Sequence, residues 1–135
     1  MTPVFADTFH YLAILDPTDE SHERALELSR RLRRRVVTTA WVLTEVGDAL
    51  CEPTNRGIFT GLIRLLKGDA NTDIVPASQD VFERGLDLHS HRPDKAWSLT
   101  DFISFVVMTE RGLTDALTGD HHFEQAGFKA LLRPA

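Results

Sequence analysis

The chain has 135 residues, a formal net charge of −5 and one cysteine, Cys51. That length buries a core without disulfides or structural metal, one cysteine allows no internal disulfide, and the negative balance argues against non-specific nucleic-acid binding. With 42% hydrophobic and 26% charged residues, the chain reads as one globular domain over 1–135, without disordered or collagen-like bias.

The start, MTPVFADTF, has no basic opening, long apolar core or cleavage site, and no apolar stretch reaches the length of a membrane span. The expectation is a cytoplasmic protein that makes no use of a membrane.

Pro3 to Ala6 is a short apolar run ending at Asp7-Thr8 and predicts a first strand. Phe9 to Leu15 predicts a helix halted at Asp16-Pro17. Thr18 or Asp19 is a candidate cap for a helix from Glu20 to Arg34, where Ala25, Leu28 and Leu32 keep helical spacing. Val36 to Thr39 is β-branched throughout and predicts a second strand. Trp41 to Leu50 predicts a helix carrying Glu45, and Arg56 to Leu66 another, closed by Gly68. Asp73 to Pro76 predicts a third strand, and Ser78 a cap for a helix from Gln79 to His91. Ser98 opens a helix that ends at Arg111-Gly112. Leu113 to Leu117 predicts a fourth strand, His121 to Gln125 a helical turn, and Phe128 to Leu132 a fifth strand. Short apolar strands alternating with helices imply an α/β fold with a parallel sheet covered on both faces.

Four acids stand at places where such a sheet gathers ligands, at the carboxyl ends of strands and in nearby helical turns. Asp7 follows the first strand and Asp120 the fourth. Glu45 lies one to two turns into the helix after the second strand, and Asp101 in the first turn of the helix before the fourth. Clustered carboxylates resist ionising unless a cation balances them, and Mg²⁺ and Mn²⁺ prefer oxygen ligands. Such a centre suits hydrolysis of phosphoesters.

Each acid also has a structural reading. Asp7 can be a helix cap, and Asp101 completes an S-x-x-D capping box with Ser98. Glu45 is the hardest to explain that way, among Val42, Leu43, Val46 and Leu50. His121 and His122 read as solvated loop residues, with no Cys or His cluster at usable spacing for zinc. Arg30, Arg31, Arg33, Arg34 and Arg35 are either a solvated helix end or a phosphate-contacting patch beside the acids. No phosphate-cradling glycine motif is present in the sequence.

The segments VFADTFHYLAILDPTDESHERA, TTAWVLTEVGDAL and SLTDFISFVVMTERGLTDALTGDHHFEQAGF resemble the PIN-domain family, in particular VapC-type toxin ribonucleases. They cover nearly the whole chain in family order and spacing. The resemblance implies a three-layer α/β/α fold around a mainly parallel sheet of about four to five strands. It carries the metal-binding and catalytic acids onto Asp7, Glu45, Asp101 and Asp120, and supporting hydroxyls onto Thr8 and Thr118. Asp94 and Asp115 stay outside the site. It further implies Mg²⁺- or Mn²⁺-dependent endoribonuclease activity, a homodimer and, for a toxin, a cognate antitoxin. The alternatives are a PIN-like nuclease acting in RNA processing or on DNA, and a non-catalytic RNA- or partner-binding module. A phosphoacceptor receiver is disfavoured, because it wants an Asp at the carboxyl end of the third strand, where Pro76-Ala77-Ser78 stands.

Overall fold

Val4, Phe5 and Ala6 are fully buried, as a strand must be when helices cover both faces of its sheet. They form β1 (Val4–Ala6) at the centre of a five-stranded sheet in a computed structural model that describes residues 1–134. The other strands are β2 (Val36–Thr39), β3 (Thr72–Val75), β4 (Asp115–Leu117) and β5 (Lys129–Ala130), in the order β3-β2-β1-β4-β5. All four pairings are parallel. The helices are α1 (Thr8–Leu15), α2 (His22–Arg31), α3 (Ala40–Ala49), α4 (Arg56–Gly68), α5 (Gln79–His91), α6 (Leu99–Glu110) and α7 (His121–Gln125).

The chain steps from β1 through β2 to β3, then returns past β1 to lay down β4 and β5. Right-handed crossovers therefore put α1 to α4 on one face and α5 to α7 on the other. This is the expected α/β/α architecture.

Some boundaries shift where long-range bonds intervene. The helix expected over Glu20 to Arg34 spans only His22–Arg31. Its successor residues are already laid against β1, since the Val4 amide donates to the Arg35 carbonyl at 2.9 Å. Asp19 does not cap α2, because its Oδ1 accepts from the Ser21 amide at 2.8 Å in the preceding turn. The fifth strand narrows from Phe128–Leu132 to Lys129–Ala130.

At the end of α6, Gly112 takes the left-handed φ of +66°. Its amide reaches the Thr109 carbonyl at 3.2 Å, and the Leu113 amide reaches Met108 at 2.8 Å. This Schellman closure turns the chain straight into β4. Edge-on rings then fix α6 against α7, with Phe105 at 4.9 Å from Phe123 and 5.1 Å from Trp97. The Trp97 indole donates to Gln125 Oε1 at 2.9 Å.

The basic run lies on the edge of the sheet away from the acids. Arg34 and Arg35 precede β2, so they sit at the amino edge, and four strand residues span about 13 Å. Arg34 donates to Asp115 Oδ2 at 2.9 Å and to the Thr2 carbonyl at 2.7 Å, and Arg35 to the Ala70 carbonyl at 3.0 Å. Of the two readings of the basic run, a phosphate patch beside the acids does not fit this placement: Arg34 and Arg35 tie the amino edge together, and Arg30 and Arg33 are solvated, as the helix-end reading has it.

Candidate metal centre

Strand order reverses between β1 and β4, and the carboxyl ends of these neighbours open a crevice. Asp7 leaves β1 into that crevice. It occupies the N-cap position of α1 but makes no side-chain cap hydrogen bond of the usual kind. Instead Asp7 is 4% exposed and its Oδ2 accepts from Thr118 Oγ1 at 2.9 Å. The capping reading of Asp7 therefore fails here.

Thr118 follows β4, is fully buried, and also accepts from the Asp120 amide at 3.1 Å. One hydroxyl thus sets the distance between two acids. Between them, Gly119 is packed beneath the Phe9 ring, where an added Cβ would come within 2.4 Å of Phe9 Cζ. Asp120 caps α7 by accepting from the His122 amide at 2.9 Å.

Asp101 forms the expected capping box, with its amide 3.0 Å from Ser98 Oγ and its Oδ2 3.2 Å from the Ser98 amide. It is nonetheless 7% exposed and faces the same cleft, so the structural and chemical readings coexist. Glu45 does not point into the core. Val42, Leu43 and Val46 take the buried positions, while Glu45 is partly exposed and accepts from Thr8 Oγ1 at 2.6 Å. The four predicted acids and Thr8 line one cleft of about 430 Å³, together with Trp97, Ser98 and His122, and Thr118 braces it from beneath.

Burial pushes the Asp7 carboxyl up to about 7, against the lowering effect of the Thr118 bond and with help from Asp101 and Asp120. Burial also raises Asp101, opposed by its bonds from His122 and Ser98. Among the described residues no Lys or Arg forms an ion pair with any of the four acids. The side-chain nitrogens nearest to them are those of the His122 ring, near Asp101 and Asp120, and of the His121 ring, near Asp120. A converging set of carboxylate oxygens without a balancing lysine or arginine fits a hard divalent cation.

The reading of both histidines as solvated is half right. His121 keeps 59% of its side chain exposed, but His122 keeps 23% and lies 3.1 Å from Asp101 Oδ2. Ligand atoms of Asp120, His121 and His122 fall within 4.8 Å of one another. The cations near the cleft were missed as well. Arg92 and Lys95 stand over the Trp97 ring at 5.1 and 5.5 Å, beside the cleft-lining Ala96 and Trp97.

No family model matches the chain, and no curated protein sequence matches it. Solved structures do. Mycobacterium tuberculosis VapC20, a sarcin-ricin loop cleaving toxin, superposes with a TM-score of 0.85 at 22% identity, over 93% of this chain and 95% of that one. Rickettsia felis VapBC2, bound to a DNA fragment from its promoter, gives 0.66 at 11% identity over 94% and 96%. Neisseria gonorrhoeae FitAcB gives 0.66 at 18% identity over 94% of each chain. The chain therefore has the fold of these structures, the α/β/α fold around a parallel sheet that the resemblance implied.

Proposed function

We propose that this chain is a metal-dependent endoribonuclease that hydrolyses RNA phosphodiester bonds as the toxin of a toxin–antitoxin pair. The observation that carries the reading is the meeting of Asp7, Glu45, Asp101 and Asp120 in one cleft that contains no balancing lysine or arginine. The fold shared with VapC20 and with the VapBC2 and FitAcB structures supports it.

In this reading the four acids hold Mg²⁺ or Mn²⁺, which supplies an activated water and neutralises charge on the phosphodiester. Thr118 orients Asp7, and Thr8 orients Glu45, so each carboxylate is fixed before substrate arrives. Arg92 and Lys95 meet the RNA backbone beside the cleft. The protein acts in the cytoplasm as a homodimer, and its antitoxin blocks the cleft. No helix is long and apolar enough to cross a membrane.

The test is cleavage of structured and single-stranded RNAs with Mn²⁺, with Mg²⁺ and with chelator, beside Asp101→Asn. Cutting that needs metal and disappears in the variant, with its circular dichroism unchanged, is the expected result. Equal cutting by wild type and variant would overturn the assignment.

A further inference from the structure

We propose that His122 is a positioning residue that clasps Asp101 to Asp120 and thereby sets the shape of the metal centre. The inference rests on the metal-dependent reading above. Its basis is a pair of contacts made by one residue at its two ends. The His122 ring places Nδ1 at 3.1 Å from Asp101 Oδ2, across 21 positions of sequence. The His122 backbone amide donates to Asp120 Oδ1 at 2.9 Å. The ring is 3.5 Å from Asp120 Oδ1, too far for a good bond, so the amide carries that link.

An ionised carboxylate only accepts, so His122 Nδ1 is the donor in this contact. The Ser98 amide and the His122 ring both bond Asp101 Oδ2. Oδ1 is thus the oxygen left for a cation. Without the clasp, Asp101 keeps only its helix-cap bond, and repulsion from Asp120 is free to turn it away from the cleft. A histidine donating to a ligating carboxylate is the kind of outer contact whose loss weakens metal binding by about 10- to 100-fold.

The experiment is calorimetric titration of Mn²⁺ into wild type, His122→Ala, His122→Asn, His122→Gln and His121→Ala. Asn carries its amide nitrogen where Nδ1 stands, and Gln carries one where Nε2 stands. The expected result is an about 10- to 100-fold loss of affinity in the Ala variant. Asn restores most of it, Gln does not, and His121→Ala binds as wild type. Unchanged affinity in His122→Ala overturns the proposal. So does rescue by Gln in place of Asn, which would assign the work to Nε2, or equal loss in Asn and Gln, which would mark a general loss of structure. Wild type that takes up no Mn²⁺ overturns the metal-dependent reading and this one with it. Uptake by wild type with any of the three preceding results overturns this proposal alone.

Discussion

At Asp7 a carboxylate is buried without a cationic partner, which sets the metal-free fold against its own charge. Its pKa rises from 3.8 unfolded to about 7 folded, chiefly through burial. Between those values the folded state binds more protons than the unfolded state, so stability falls as pH rises through the window. The full range is worth on the order of 4 kcal/mol as an upper bound. His10 acts in the opposite sense, since burial lowers it from 6.5 to about 4 and stability is lost as pH falls through that range. Comparing wild type with Asp7→Asn at each pH cancels the His10 effect. Thermal unfolding in chelator should show the variant increasingly more stable than wild type from about pH 4 to 7, the span of the Asp7 shift. Saturating Mn²⁺ should reverse the order, because the cation stabilises only a chain that binds it. A constant difference across pH would contradict the account of Asp7. The sequence made Asp7 legible as an acid at a strand end. It could not separate a cap from a ligand, because that depends on Thr118, 111 positions away.

Elements carry the residues to the site, and most elements were readable locally. The Ser98 and Ser78 caps, the β-branched run Val36–Thr39 and Gly112 at a left-handed φ each have short-range physical signatures. The end of α2 was not readable, because it is set by the Val4–Arg35 ladder bond and not by helix propensity. His122 was not readable either. A histidine inside T-x-D-x-x-F has no local signature, and its contact with Asp101 exists only once α6 packs on α7 through Phe105 and Phe123. The arginine run shows the same limit, because its partners Asp115 and Ala70 are distant in sequence. Its role at the amino edge is structural. Arg34→Met should lower stability in urea unfolding by about 1.5–3 kcal/mol, the range for losing hydrogen bonds to a charged group. RNA cleavage by the folded variant should match wild type. Lost cleavage at full stability would place Arg34 in substrate binding instead.

For the whole molecule, a net charge of −5 and the proposed RNA substrate are reconciled by placement. The acids converge in one cleft, and Arg92 and Lys95 stand beside it. Lys95→Ala should weaken RNA binding at low salt for several sequences alike and reduce the salt slope by about 0.7 for single-stranded RNA. An unchanged slope would remove Lys95 from the interface. Metal-dependent cleavage requires the four acids to form one metal centre. Anomalous diffraction from crystals grown with Mn²⁺ tests this most directly. A strong peak is expected in the cleft within about 2–2.5 Å of carboxylate oxygens from Asp7 and Asp101. Mn²⁺ found only elsewhere on the molecule, with the cleft empty at saturating metal, would contradict it.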